Sequence, residues 1–278
     1  MEPLSPIQTA HLYLPLHLEL LELLRSLTPD QWQSPTVCAE WAVRDIVAHL
    51  LDVDIRRLSL LRDGLDLGPP DVPIYGYRGL VDYLNRLNAD WVKAARRMSP
   101  RVLIDLLALT GPQVASYVEE LDPEAPARFS VAWAGEDVSP NWFDVGRDYT
   151  ERWHHQQQIR DAVGAPGLTR REWLFPVLDL FMRSVPFTYR NEPAPAGTVI
   201  DFKIHGPAGG AWSLRLEDSW NLFRGSAAEP SCAIRLDQDT AWRMFTKGIP
   251  AGEAARRATV EGTALLARPF LGSLAVMA

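Results

Sequence analysis

Apolar residues recur at intervals of three and four over the first two-thirds of the chain, and at intervals of two over much of the last third. The first spacing is typical of amphipathic helices and the second of half-buried strands. Stretches that contain proline and glycine separate the helical segments. The pattern predicts a first helix over about 8–27 with Pro15 as an alternative start, a second from the end of SPTVCAEWAVRD to about Arg62, and further helices over 78–98, 101–120 and 148–164.

The last third of the chain predicts a small sheet with short helices. After a helix expected at 172–185, the stretch GTVIDFKIHGPAGGAWSLRLEDSWNLFRG alternates around glycine-rich turns, which indicates two or three antiparallel strands. SCAIRLD and RATVEG indicate two more strands, and QDTAWRMFTKG and TALLARPF indicate two helices. We therefore expect an all-α helical bundle over residues 1–168, followed by a small α+β domain with a mainly antiparallel sheet over residues 169–278.

Composition excludes two classes of partner. The 278 residues are 47% hydrophobic and 23% charged, and the formal charge of −7 is spread without a run of Lys or Arg. Nucleic acids and membranes are therefore not expected as partners. The N-terminus carries glutamates where a signal peptide is basic, and no apolar run reaches the ~18 residues of a membrane span, so a cytoplasmic protein is expected. Cys38 and Cys232 are too few for a disulfide framework and are expected as small buried side chains.

The stretch DYTERWHHQQQIRDAVG, residues 148–164, places a glutamate, two histidines and three glutamines on one predicted helix. A step of four residues returns a helical side chain to within about 40° of its starting direction, so Glu151 and His155 lie one above the other. His154 lies on the side away from the apolar stripe. Two interpretations stay open at this point: a solvated polar face, or one half of a metal site.

A second helix offers a further ligand. His49 lies at the flank of the apolar stripe of CAEWAVRDIVAHLLDVDIRRLSLL, where it can reach a neighbouring helix. Alone it could be a structural histidine. Together with Glu151 and His155 it makes three N/O ligands, the number with which a catalytic zinc site leaves its fourth position open. His11, His17 and His205 have no partner at ligand spacing and are expected to be structural or exposed.

Two motifs of the helical half are similar to those of a known family. QWQSPTVCAEWAVRDIVAHL (31–50) and ERWHHQQQIRDAVG (151–164) resemble the first motif and the metal motif of the mycothiol-dependent maleylpyruvate isomerase family, and WSLRLEDSWNLFRG and DTAWRMFTKG resemble its small C-terminal domain. The resemblance implies a DinB-like metal-binding four-helix bundle. It assigns a divalent metal, usually zinc, to His49, Glu151 and His155.

The resemblance also implies a chemistry. The family's best-known members use the thiol mycothiol to isomerise maleylpyruvate from cis to trans, and a thiolate can add to such an activated alkene. The reaction needs a cation for the carboxylates and the enolate; Arg243 is the first candidate, with a plain surface arginine as the alternative. Asp45 and Asp148 are candidates to orient a ligating imidazole, and Trp142 is a candidate to pack beside the site.

Three functions of different classes follow. The first is a metal-dependent enzyme that uses mycothiol on a small electrophile, as a cis-trans isomerase or a thiol S-transferase. The second is a zinc-dependent hydrolase, because the same three ligands could activate water. The third is a non-catalytic protein that binds a small ligand, which a fourth protein ligand on the metal would favour. Mycothiol and a small-molecule electrophile are the expected partners; the sequence does not fix the oligomeric state, and a monomer is one of the states it allows.

Overall fold

The computed structural model describes residues 2–275, which form two compact units. The helical unit contains Gln8–Arg128 and Asp148–Gly167. The sheet unit contains the chain up to Ile7, Phe129–Arg147, and the chain from Leu168 onward. The predicted domain boundary after residue 168 stays a prediction. The segment Phe129–Arg147 makes its contacts with the sheet unit and is therefore grouped with the residues from Leu168 onward. Residue 1 and residues 276–278, at the ends of the predicted domains, lie outside the described residues.

The helical unit consists of packed helices that the apolar periodicity predicts. They are α1 (Tyr13–Ser26), α2 (Val43–Arg56), α3 (Gly76–Ala95), α4 (Pro100–Glu120) and the larger part of α5 (Asn141–Val163). α1 packs against α4, and α2 packs against both α3 and α4. Short 3-10 turns at Ala10–Leu12 and Gln31–Gln33 precede α1 and α2.

A shared apolar core holds these helices together, since each turns one apolar face inward. The core residues are all at least nine-tenths buried and include Leu20, Leu24, Trp32, Val43, Ile46, Val47, Leu50, Leu51, Leu103, Leu107 and Ile159. Burying each large apolar side chain of this kind contributes about 1.5–3 kcal/mol. Local signals fix the helix ends: Ser99 accepts a hydrogen bond from the Val102 amide at the start of α4, and Pro100 occupies its first turn.

The second predicted helix changes its geometry before it ends. α2 is regular as far as Arg56, and Arg57–Arg62 then form a π-helical segment, closed by a hydrogen bond from the Asp63 amide to the Leu58 carbonyl. π-helical segments are rare and often occur at functional sites. Apolar periodicity did not predict this segment, because it lies at the end of the helix, where too few residues follow to show a shifted register.

The sheet unit combines one sheet with short helices. Its strands are β1 (Glu2–Pro3), β2 (Val199–His205), β3 (Gly210–Leu216), β4 (Trp220–Arg224), β5 (Cys232–Asp237) and β6 (Thr259–Gly262). They lie in the order β1-β4-β3-β2-β5-β6. The helices are α6 (Arg171–Met182), α7 (Val185–Tyr189), α8 (Gln238–Phe245), α9 (Glu253–Arg257) and α10 (Arg268–Leu271), with 3-10 turns at Ala132–Ala134 and Ala264–Ala267.

The central strand β2 follows the two-residue period except at Asp201, which is also buried. Ile200, Phe202 and Ile204 are buried, whereas Lys203 and His205 are exposed. β2 pairs antiparallel with β3 and parallel with β5, and the other pairings are antiparallel. β1 was not predicted, because two residues are too short to show a period.

These elements confirm the predicted fold class, an all-α helical part followed by a small α+β part with a mainly antiparallel sheet. Within residues 2–275, no helix combines the length and the apolar character that crossing a membrane requires. The helical unit supplies the candidate site, because it brings α2 and α5 together.

Gly111 of α4 gives a direct test of helix packing. A Cβ atom at this position would lie 2.2 Å from the ring of His17 on α1, so Gly111→Ala should lower the free energy of unfolding by about 1–3 kcal/mol, measured by urea denaturation. The matched control is Gly79→Ala in α3, where the nearest atoms lie 3.7 Å or more from the added Cβ and the helix gains propensity. Equal stabilities of the two variants would contradict this packing of α1 against α4.

Candidate metal centre

Two helices bring three potential ligands together. Nε2 of His49 on α2 lies 3.1 Å from Oε1 of Glu151 on α5, and Nε2 of His155 lies 3.0 Å from the same oxygen. One ligand atom from each residue lies within 4.8 Å of the other two. The three side chains therefore form a group that can hold a metal ion, as the helix spacing predicts; that they bind one stays a prediction.

The polar residues of α5 lie inside the helical unit. His154, His155 and residues 156–158, the three glutamines, are each at least nine-tenths buried. Nε2 of Gln156 donates to the carbonyl oxygen of Leu16 on α1 at 3.0 Å. Buried polar groups of this kind need partners, and the interpretation of residues 148–164 as a solvated face is therefore wrong.

An aromatic side chain covers one side of the cluster. The ring of Trp41, just before α2, lies 5.1 Å from the ring of His49 and 6.4 Å from the ring of His155, measured between centroids. The two imidazole rings meet edge to face at 4.8 Å. Trp41 thereby limits the access of water to both rings, and a third of the Glu151 side chain stays exposed.

A hydrogen bond fixes the tautomer of His155. Its Nδ1–H group donates to Oε1 of Gln158 at 2.7 Å, and both side chains are buried. Because an amide oxygen only accepts hydrogen bonds, Nδ1 carries the proton and Nε2 faces the carboxylate of Glu151. A neutral Nε2 lone pair and a carboxylate oxygen repel each other unless a proton or a cation lies between them. The donor set thus fits a divalent metal ion.

His49 differs from His155 at its second ring nitrogen. Nδ1 of His49 is buried and has no hydrogen-bond partner among residues 2–275. Burial lowers the pKa of His49 to about 4, although the hydrogen bond to Glu151 acts in the opposite direction. The imidazole is therefore neutral at pH 7, the state in which histidine binds metals.

The charge of the cluster resides on Glu151. Burial alone would raise the pKa of this carboxyl, but the charge interaction with His155 and the hydrogen bonds from His155 and His49 outweigh burial and hold the pKa well below the usual value when a proton lies between the carboxylate and the rings. Burial and, to a smaller extent, the neighbouring His155 lower the pKa of His154 to about 3. Nδ1 of His154 lies 3.0 Å from the carbonyl oxygen of Thr150 and 3.9 Å from the carboxylate, so this ring nitrogen is directed along its own helix.

Asp45 and Asp148 do not orient the imidazoles. Asp45 accepts the Ala42 amide at the start of α2 and forms an ion pair with Arg96 at 3.1 Å. Asp148 accepts the hydroxyl of Tyr13 and forms ion pairs with Arg57 and Arg152. Instead, Nε2 of His49 and Nε2 of His155 both face Glu151, and Nδ1 of His155 faces Gln158. Nδ1 of His49 has no hydrogen-bond partner among the described residues.

The expectation for Asp45 and Asp148 is therefore corrected, and Gln158 takes the orienting role. Both aspartates lie within one helical turn of a ligand, but arginines pair with them: the exposed Arg96 with Asp45, and Arg57 and Arg152 from the interior with Asp148. For Asp148 the reason is that an unpaired buried guanidinium costs more free energy than an unpaired imidazole nitrogen. Gln158 follows His155 by three residues and therefore lies on the same helix face. That spacing is the sequence signal by which it could have been found.

The other two predicted site residues lie in the sheet unit. The ring of Trp142 stacks on Phe143 at 5.1 Å, and the guanidinium of Arg183 lies over it at 4.8 Å. Nε of Arg243 lies 3.0 Å from the carboxylate of Asp239. It stays a prediction that Arg243 binds substrate and that Trp142 packs beside the metal.

Comparison with known proteins decides the family. The model of a domain described as the mycothiol maleylpyruvate isomerase N-terminal domain matches residues 13–160, just over half of the chain. The chain belongs to this family. The matched residues include the three potential ligands, and all of them except Phe129–Arg147 lie within the helical unit.

Solved structures support the fold over a longer stretch. Crystal structures of a mycothiol-dependent maleylpyruvate isomerase and of a histidine-to-alanine mutant each match with a TM-score of 0.52 over 91% of this chain and 91% of the other, at 10% sequence identity. At that identity the similarity shows the fold alone. No curated protein matches the sequence.

Neighbouring histidines on α5 give a matched test of metal binding. His155→Ala removes an imidazole whose Nε2 faces Glu151, and it should abolish stoichiometric zinc binding, measured by elemental analysis after dialysis and by competition with a chelator. His154→Ala removes an equally buried imidazole and should leave the zinc stoichiometry at one. Loss of zinc in His154→Ala, or its retention in His155→Ala, would contradict the assignment.

The lowered pKa values predict an acid-sensitive fold. His49 and His154 stay neutral in the folded protein down to about pH 4 and 3, whereas in the unfolded chain both take up protons below about 6.5. Each therefore costs up to about 1.4 kcal/mol of stability per pH unit as the pH falls below 6.5. Urea unfolding of the chelator-treated protein should give a smaller free energy at pH 5 than at pH 7, with a weaker dependence in His154→Gln. A flat profile in the unmodified chain would disprove the neutral buried state.

Proposed function

We propose that this protein is a metal-dependent enzyme that uses mycothiol on a small electrophile, as a cis-trans isomerase of a maleylpyruvate-like substrate or as a thiol S-transferase. The observation that supports it is the convergence of His49, Glu151 and His155, in a chain that belongs to the mycothiol maleylpyruvate isomerase family. Membership of an isomerase family favours isomerisation, and the S-transferase differs from it only in the fate of the thiol adduct.

The three converging side chains would hold a divalent ion, most simply Zn²⁺, through two imidazole nitrogens and one carboxylate oxygen. When bound, such an ion lowers the pKa of a coordinated thiol, so that thiolate is available near neutral pH. Three protein ligands are the number found in catalytic zinc sites, whereas structural sites use four. His154 precedes His155 on α5, and its Nδ1 lies beside the carbonyl oxygen of Thr150. We therefore count three protein ligands.

The surrounding residues prepare this site before any ligand arrives. Gln158 holds the proton of His155 at Nδ1, which keeps Nε2 available as a ligand atom. Trp41 covers the two rings, which lowers the local dielectric and strengthens the charge interactions of Glu151. The carboxylate keeps a negative charge that compensates part of the charge of a divalent ion.

The proposed reaction also requires a cationic side chain. Addition of a thiolate to a conjugated alkene forms a C–S bond and moves an electron pair onto the carbonyl oxygen, and rotation followed by loss of the thiolate gives the trans isomer. A cation must stabilise that enolate oxygen. We keep Arg243 in this role; its guanidinium is oriented by Asp239 and lies 4.2 Å over the ring of Trp242, which leaves it little conformational entropy to lose on binding.

Titration of the cobalt-substituted protein with mycothiol tests this function. A sulfur-to-cobalt charge-transfer band should appear with one equivalent of thiol, and it should be absent in His155→Ala treated in the same way. Incubation with maleylpyruvate and mycothiol, followed by NMR, then separates the activities: recovery of free thiol with the trans product indicates an isomerase, and a stable thioether indicates an S-transferase.

Two outcomes would contradict the proposal. Stoichiometric cobalt whose spectrum does not respond to mycothiol would favour a hydrolase that activates water, or a structural metal in a binding protein. Failure of the unmodified protein to retain cobalt or zinc would remove the basis of all the metal-dependent functions.

A further inference from the structure

Besides the candidate metal centre, a second side-chain contact joins α2 and α5. At the metal centre His49 meets Glu151. One residue further along α5, Nη1 of Arg152 donates to Oδ1 of Asp54 at 2.5 Å. Asp54 follows His49 by five residues, so the two contacts lie about 7.5 Å apart along the axis of α2. Contacts at two heights restrict both the rotation and the sliding of α5 against α2.

The second contact is an ion pair in the interior of the helical unit. The Asp54 side chain is wholly buried, and that of Arg152 is 11% exposed. Oδ2 of Asp54 accepts the hydroxyl of Thr110 on α4 at 2.6 Å. Nε of Arg152 donates to Oδ2 of Asp148 at 2.8 Å, and Asp148 in turn accepts the hydroxyl of Tyr13 on α1. Further hydrogen bonds to α1 and α4 therefore fix both members of the pair.

The chemistry of the pair suits positioning better than stabilisation. Burying two charges costs their hydration, and apolar side chains of similar volume often hold two helices equally well. An ion pair adds direction, because a guanidinium and a carboxylate bond in defined geometries. Burial alone would lower the pKa of Arg152, but the charges of Asp148 and Asp54 outweigh burial and raise it above its ordinary value. The guanidinium therefore stays charged and keeps its directed bonds.

We propose that Arg152 is a positioning residue for the metal centre. Its ion pair with Asp54 sets the rotation of α5 against α2, and this rotation decides whether Glu151 meets the imidazole of His49. The inference rests on the metal site of the proposed function. Glu151 and Arg152 are consecutive, and their side chains project about 100° apart around α5, so fixing the guanidinium fixes the direction of the carboxylate. Metal ligands must be held within about 0.5 Å of their working geometry.

A second arginine of α5 provides a matched control. Arg160 is buried to a similar degree, with 9% of its side chain exposed, but it pairs with Glu19 on α1. Replacing either arginine by methionine removes one interior charge from the same helix and keeps most of the aliphatic stem. Both variants should therefore unfold at a lower temperature than the unmodified protein. Arg152→Met also loses the ion pair to the helix that carries His49.

Zinc affinity, measured by competition with a chelator, is the first readout. Arg152→Met should bind zinc about tenfold to a hundredfold more weakly, the usual effect of losing a group that orients a metal ligand. Arg160→Met should bind zinc as the unmodified protein does. Arg152→Lys should recover part of the loss, because an ammonium group keeps the charge and can bond one carboxylate. Equal zinc affinities of Arg152→Met and Arg160→Met would overturn the inference.

Asp54→Asn serves if Arg152→Met does not fold. It removes the charge that pairs with Arg152 and keeps a side-chain oxygen for the hydroxyl of Thr110. This variant should weaken zinc binding in the same direction. Zinc affinity that stays unchanged in Asp54→Asn would overturn the inference as well.

A second readout needs no metal and separates this inference from the proposed function. Nε2 of His49 lies 3.1 Å from Oε1 of Glu151, and heteronuclear NMR of the chelator-treated protein can detect the hydrogen-bonded proton between them. Its resonance should be lost in Arg152→Met and kept in Arg160→Met. That result in a protein that does not bind zinc would support the positioning role and disprove the metal-dependent function. Zinc binding and a proton resonance that both survive Arg152→Met would do the reverse.

Discussion

A single carboxylate oxygen, Oε1 of Glu151, faces the Nε2 atoms of two imidazoles within a packed helical unit. This arrangement is stable only if a proton or a metal ion lies between the carboxylate and the rings, because lone pairs would otherwise face each other in a region of low dielectric. Elsewhere in the helical unit, buried polar side chains likewise have partners. α5 carries glutamines and arginines inside the unit because neighbouring helices supply partners, as Leu16 does for Gln156.

The two imidazoles of the cluster differ in how firmly their orientation is fixed. His155 is locked by Gln158, so its ligand atom points in a defined direction before any ion arrives. His49 has no partner for Nδ1 in the part of the chain that the structure describes, and its ring is held by packing against Trp41 and His155. Binding through Nε2 would move its proton to Nδ1 and leave that proton buried. We therefore expect His49 to bind an ion more weakly than His155 does.

The sequence predicted the parts that depend on periodicity and little of what depends on partners. The helices, the alternation of β2 and the face shared by Glu151 and His155 follow from repeats of 3.6 and 2 residues. The ion pair of Asp45 does not: its partner Arg96 follows the end of α3, fifty-one residues away, and no local pattern encodes that contact.

X-ray absorption spectroscopy of the zinc-loaded protein, before and after addition of mycothiol, tests the central claim most directly. The claim is that His49, Glu151 and His155 hold one zinc ion and leave a position for a thiolate. It predicts a first shell of nitrogen and oxygen only, with two imidazoles, and one sulfur at about 2.3 Å after mycothiol is added. A first shell closed by four protein ligands, or one that stays free of sulfur in the presence of mycothiol, would contradict the account.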